Sequence, residues 1–178
     1  MNRVRVERAE ETRRYSLVET TFGTAVLEWT DQGIARLELP NGARPSARPA
    51  TSIAARPTGF AADAERRVQA YFAGEPTEFD ALPVDFTNVP GFARQVFLAA
   101  RELKRGQTTT YGELAQKIGI PGAARAVGGA LGRNPVPLIV PCHRVLAAGG
   151  KVGGFSAGAG VSLKRRMLML EGSDAALR

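Results

Sequence analysis

The 178-residue sequence contains a single cysteine, Cys142, and a single histidine, His143. A lone cysteine excludes an internal disulfide, and this pair alone excludes a structural zinc site of the usual Cys/His type. No metal and no cofactor are therefore expected. No apolar run approaches the ~18 residues a membrane helix needs. The Arg-rich, Glu-bearing start also lacks the apolar centre of a signal peptide. These absences predict a cytoplasmic protein in a reducing compartment, with no membrane partner. Acidic side chains are scarce in the second half. Residues 1–83 carry 11 cationic and 12 anionic side chains, whereas residues 84–178 carry 13 and 5. The net charge of +7 is thus −1 in the first half and +8 in the second. A neutral half joined to a basic half suggests a polyanionic partner. Because 20 of the 24 cations are arginine, an Arg-rich background explains the excess about equally well.

Hydrophobic residues make up 44% of the chain and charged residues 23%, which is enough apolar material for a packed core and argues against wholesale disorder. Tyr15–Val18, Thr24–Trp29 and Ile34–Leu39 read as short strands separated by turn residues. Residues 43–58, rich in Pro, Ala, Ser and Arg, read as a solvent loop. Ala64, Val68, Tyr71 and Phe72 then repeat at helical spacing up to Gly74. Nothing in this half forms a catalytic constellation, so its expected role is scaffolding. Residues 82–89 read as a connector with a further extended segment.

The second half reads as mostly helical. Phe92, Val96, Phe97, Ala100 and Leu103 make one apolar face that ends by Gly106. Thr110-Tyr111-Gly112-Glu113 fits a capping box at the start of a short helix. Pro121 is placed to open the next helix, which runs to Gly132 and is built of Ala and Gly around Arg125. Two short helices with a tight turn make a helix-turn-helix, and the small residues let a backbone approach something large and flat. Close packing against a neighbouring helix explains those residues as well. Asn134-Pro135-Val136-Pro137 is rigid and non-helical. It leads through the apolar run Leu138–Val140 to Pro141-Cys142-His143-Arg144-Val145.

A cysteine is most often a buried, inert residue. Here its neighbours are the only imidazole and an arginine, and nearby positive charge stabilises a thiolate. His143 is the only available imidazole base. Glu171, at the end of the helical segment Leu163–Leu170, is a candidate to hold its tautomer. It also reads as an ordinary surface glutamate before Gly172. The Gly-rich stretch Val152–Gly160 lacks the Lys-Ser/Thr ending of a phosphate loop and suits a pocket wall.

From about Pro90 to Glu171 the chain resembles the O6-alkylguanine-DNA alkyltransferases. The resemblance is carried by Thr109–Ala115, Ala124–Gly128, Asn134-Pro135 and Pro141–Val145. Thr21-Phe22-Gly23 and Tyr71–Gly74 carry a weaker resemblance to the family's first domain. The resemblance implies a small N-terminal α/β domain, ribonuclease-H-like, over residues 1–83. A mostly helical DNA-binding and transfer domain would follow over residues 84–178. It also implies a suicide methyltransferase, acting as a monomer on double-stranded DNA from the minor groove. Cys142 would irreversibly take the alkyl group from O6 of a flipped-out guanine, and also from O4 of thymine. His143 would accept the thiol proton through a water, held by Glu171, while Asn134 braces the turn. Tyr111 would donate to the departing guanine, and Ser156 and the Val145 backbone would line the base pocket. Arg125 would fill the gap in the stack, with Ala124, Ala126, Gly128 and Arg133 on the same DNA-facing surface. Phe155 departs from the tyrosine common in the family, and the loop Ser156–Leu163 is slightly longer than in some relatives. A non-reactive lesion-binding protein and a cysteine hydrolase are the competing readings.

Overall fold

The computed structural model describes residues 12–41 and 52–177. Strands β1 (Arg13–Thr20), β2 (Gly23–Trp29) and β3 (Ile34–Glu38) form an antiparallel meander close to the predicted runs. A short strand β4 (Ser52–Ala54) pairs parallel to β1, giving the order β3-β2-β1-β4. It lies inside the stretch expected to be a solvent loop, of which residues 43–51 fall outside the described part. The correction has a local cause: Ser52 donates to the buried carboxylate of Glu28 at 2.8 Å, and the Ala55 N–H reaches Tyr15 O at 3.0 Å. Helix α1 (Gly59–Phe72) buries Ala61, Ala64, Val68, Tyr71 and Phe72 and packs against β1.

Helix α2 (Gly91–Arg101) buries Ala93, Val96, Phe97, Ala99 and Ala100. Two details differ from the predicted apolar face. Phe92, in the first turn, is 37% exposed, and the helix stops at Arg101 rather than near Gly106. Its end is tied to the connector, because the Arg101 guanidinium donates to Asp80 O and Leu82 O, each at 2.8 Å. The short strand β5 (Thr109–Thr110) precedes α3 (Tyr111–Lys117). The capping box is present there: Glu113 N–H donates to Thr110 Oγ1 at 3.2 Å and Thr110 N–H to Glu113 Oε2 at 2.7 Å. Helix α4 (Ala124–Leu131) starts later than Pro121. Gly122 has φ 85°, outside the helical region, so Pro121 and Gly122 belong to the turn. Helices α3 and α4 pack together as a helix-turn-helix. Strand β6 (Val145–Leu146) pairs with β5, and α5 (Val161–Leu170) ends at Glu171.

One continuous apolar core runs from Val18, Leu27 and Leu37 in the sheet, through Phe97 and Leu131, to Val140 and Met167. The outer edge of β3 is not left open, as an unpaired edge invites association. Ile34 N–H donates to Pro83 O, Asp85 N–H to Ile34 O and Leu37 N–H to Pro135 O, each at 2.9 Å. The third of these bonds ties the sheet to the segment that carries Cys142. A Cβ at Gly33 would lie 2.8 Å from both the carbonyl carbon and oxygen of Pro83 and 2.9 Å from Val84 N. These are backbone atoms that cannot swing aside. Gly33→Ala is therefore expected to lower unfolding free energy by about 2 kcal/mol or more, measured by urea denaturation. Unchanged stability would show that the connector is not held against β3.

Candidate active site

Cys142 is delivered by a segment with little freedom. Leu138, buried between Pro137 and Ile139, adopts φ 76°, a left-handed conformation costing a branched residue roughly 1–2 kcal/mol. Val140 N–H closes onto Val136 O at 2.9 Å. Pro141, at φ −79° and ψ 63°, forms an inverse γ-turn with Cys142 N–H on Val140 O at 2.8 Å. The Asn134 amide fastens this turn from three directions. Its Oδ1 accepts from Val136 N–H at 3.0 Å, and its Nδ2 donates to Val140 O at 2.8 Å and to Cys142 Sγ at 3.2 Å. The thiol, 6% exposed, opens onto a cavity of about 340 Å³ lined also by Tyr111, Gly128, Leu131, Gly132, Gly154, Phe155 and Ser156.

Cys142, His143 and Arg144 make a single turn of 3-10 helix. His143 is fully buried, with Nε2 2.7 Å from Glu171 Oε1. Glu171 is also buried, yet it accepts from Arg144 through Nε at 2.9 Å and Nη2 at 3.0 Å, and from the Tyr71 hydroxyl at 2.9 Å. Burial alone would raise the pKa of this carboxyl. The hydrogen bonds from His143 and Arg144, with the charge of Arg144, override that and hold it well below the carboxylate range. Burial lowers the His143 pKa, only partly offset by Glu171. A neutral ring beside an ionised carboxylate carries its hydrogen on Nε2, which leaves Nδ1 as an acceptor. Nδ1 is buried and bonds to no other described residue.

The expected source of charge for the thiolate changes accordingly. His143 is neutral, and the Arg144 guanidinium is spent on Glu171 and on Leu103 O at 2.6 Å. Burial pushes the Cys142 thiol up, opposed by the Asn134 hydrogen bond and the charge of Lys164. Resting Cys142 is a thiol.

The four residues expected at the reacting centre, Cys142, His143, Glu171 and Asn134, lie together. Tyr111 and Ser156 line the cavity, and Ser156 Oγ donates to Gly132 O at 2.9 Å. Burial raises the Tyr111 pKa, as does the negative charge Cys142 takes on when it ionises, so its hydroxyl stays protonated. Val145 lies behind the cavity wall, fully buried, its carbonyl taking a hydrogen bond from Lys164 Nζ at 2.7 Å. Arg125 and Ala126 are exposed and Ala124 is half-buried in the first turn of α4, while Gly128 faces the Tyr111 ring. Arg133 is exposed and borders a separate cleft of about 870 Å³ between β3 and the end of α4. Among the described residues no group of three or more His, Cys, Asp or Glu could hold a metal ion.

Sequence reasoning missed Tyr71 and Lys164, and assigned the charge of Arg144 to the thiolate where the structure directs it to Glu171. Both missed residues carried a signal. Tyr71 lies on the buried stripe of α1, where a hydroxyl needs a partner. Lys164 interrupts the apolar stripe of α5.

Replacing Glu171 by Gln would leave Arg144 buried without its anion, an expected loss of about 3 kcal/mol at pH 7. Tyr71→Phe removes one donor to the same carboxylate and should cost about 1 kcal/mol. Because the folded pKa of Glu171 is depressed, its contribution is complete above the unfolded value of about 4.3 and is lost as pH falls below it. Urea titrations from pH 7 to pH 3 should therefore show a shallower fall for Glu171→Gln than for the wild type. Parallel curves would contradict this.

Residues 13–86 match the ribonuclease-like domain of 6-O-methylguanine DNA methyltransferase, and residues 91–173 match its DNA binding domain. The methylated-DNA–protein-cysteine methyltransferase of Methanosarcina acetivorans is 38% identical over 160 residues, covering 89% of this chain and 98% of that protein. The protein of the same name from Mycolicibacterium paratuberculosis is 40% identical over 157 residues, covering 88% and 91%. In three dimensions the chain is similar to Mycobacterium tuberculosis OGT crystallised in complex with DNA. That similarity has a TM-score of 0.75 and 37% identity, over 92% of this chain and 97% of that one. Both halves of the molecule, and the segment that carries its one thiol, therefore make this chain a member of the methylated-DNA–protein-cysteine methyltransferase family.

Proposed function

We propose that this chain repairs DNA directly, moving an alkyl group from O6 of guanine, and from O4 of thymine, onto Cys142 in a single turnover. The observation that carries the reading is one thiol, fastened by Asn134 at a cavity beside a helix-turn-helix, with a neutral imidazole next to it in the chain. The target atom lies inside a duplex, so the base is flipped out at a cost of a few kcal/mol. Arg125 fills the gap in the stack. Ala124, Ala126 and Gly128 keep α4 slim enough to enter the minor groove, and Arg133 adds charge toward phosphates. Residues 1–83 act as scaffold and residues 84–178 carry binding and transfer, with Tyr71 reaching across to Glu171. The protein acts as a monomer in the cytoplasm, where a lone thiol stays reduced.

In the reaction, His143 takes the thiol proton at Nδ1 through a bridging water, while Glu171 stabilises the imidazolium. Sγ attacks the alkyl carbon opposite O6, and the S–C bond forms as the C–O6 bond breaks. Tyr111 donates a proton to the departing guanine and recovers one relayed from His143. The thiol proton thus ends on guanine, and a thioether remains on the protein. Ser156, on the cavity wall, holds the base. The thioether leaves no route back to a free thiol, which makes the protein a reagent consumed once.

Incubation with a duplex containing O6-methylguanine should add one methyl to Cys142 by intact-protein mass spectrometry, with no adduct on Cys142→Ala. A folded, unmodified wild type that retains the duplex would establish a lesion binder instead, and repeated turnover of an ester would establish a hydrolase. Arg125→Ala should slow transfer from duplex at least about tenfold, given the few kcal/mol of base flipping. Its reaction with free O6-benzylguanine should keep the wild-type rate. Equal losses on the two substrates would remove Arg125 from the stack.

A further inference from the structure

Lys164, in the first turn of α5, is 0% exposed. Its Nζ donates to Val145 O at 2.7 Å, and among the described residues no carboxylate is paired with it. Its other neighbours are aromatic faces. The ring centres of Tyr111 and Phe155 lie 5.9 and 6.0 Å from Nζ. Both rings line the same cavity as Cys142 Sγ. A carbonyl and two aromatic faces are weak compensation for a buried ammonium. Tethering α5 to the Val145 carbonyl would need only a neutral donor, so the tether does not explain the charge.

We propose that Lys164 is the counter-cation of the Cys142 thiolate, a positioning residue that keeps positive charge behind the aromatic walls of the transfer pocket so that the sulfur can ionise there. The inference rests on the alkyl-transfer reading above. The titratable groups facing Lys164 are Cys142 and His143 on the reactive turn and Tyr111 on α3. Burial brings the Lys164 pKa down to about 8, and negative charge on Cys142 draws it back up. The same positive charge disfavours protonated His143, which keeps the imidazole free to accept the thiol proton. A cation therefore promotes loss of the proton and leaves its acceptor empty.

The test is the pH profile of Cys142 alkylation by iodoacetamide, which reads the thiolate without DNA. Failure of DNA repair and failure of this inference are thereby distinguishable. Lys164→Met keeps the apolar stem and removes the charge. Its profile should move to higher pH than the wild type. At pH 7 alkylation should be roughly tenfold slower, the effect of one pKa unit, with the difference closing as the thiol ionises in both. A folded Lys164→Met with a superimposable profile would overturn the proposal. Should that variant not fold, the converse measurement uses Cys142→Ala. The Lys164 side-chain signal, followed by NMR with ¹³C-labelled lysine, should titrate at lower pH in Cys142→Ala than in the wild type. Identical titrations would refute the pairing.

Discussion

The fold converges on one buried carboxylate. Glu171 ends α5 and accepts from the Tyr71 hydroxyl on α1 and from both His143 and Arg144 on the reactive turn. An ionised carboxylate inside a protein is tolerated only when donors saturate its oxygens. Here those donors come from elements far apart in the chain, so the sheet half, the reactive turn and the last helix are fixed relative to one another. The same saturation determines the chemistry. A carboxylate this well satisfied does not take the imidazole proton, and the imidazole must present Nε2–H to it. The free lone pair of His143 is therefore a consequence of the packing.

The reactive segment holds strain, and its restraints account for how it persists. Left-handed Leu138 is an unfavourable local conformation. Opposing it are the burial of Leu138, Ile139 and Val140 in the common core and the three bonds made by Asn134. The Leu37–Pro135 backbone bond adds the sheet to this frame. A nucleophile on a relaxed loop would lose orientation at each fluctuation. Fastened in this way, Sγ approaches a reacting carbon from a set direction.

Much of this was legible in the sequence because it is local. The strands follow from alternating β-branched and aromatic runs, and the capping box at Thr110 and Glu113 from two side chains three positions apart. The reactive segment follows from its prolines and its unique Cys-His pair. What was not legible is long-range. Strand β4 forms because Glu28 and Tyr15 offer partners to a segment that has little propensity of its own. The late start of α4 depends on the conformation of Gly122. The bond from Tyr71 to Glu171 spans 100 residues, and no periodicity encodes it. The first half reaches the site through that one hydroxyl. The adjacency of His143 and Arg144 to Cys142 misled, since adjacency in sequence does not fix where charge is directed.

Two buried charges on α5 and its end show the difference between holding a structure and preparing a reaction. Glu171 has its counter-charge built in, and its environment keeps it ionised throughout. Lys164 has a carbonyl and two ring faces, which leaves its charge incompletely balanced until an anion forms nearby. Burial raises the pKa of Cys142 and lowers that of Lys164, so each group alone is driven toward its neutral form. Together they can ionise with mutual compensation, because the low dielectric that penalises each charge strengthens the attraction between them. The thiol can therefore rest protonated beside its cavity and ionise as the substrate displaces water from around it. A permanently exposed thiolate would react with many electrophiles. For a residue that is used only once, a sulfur that stays latent until an anion is needed is the safer arrangement.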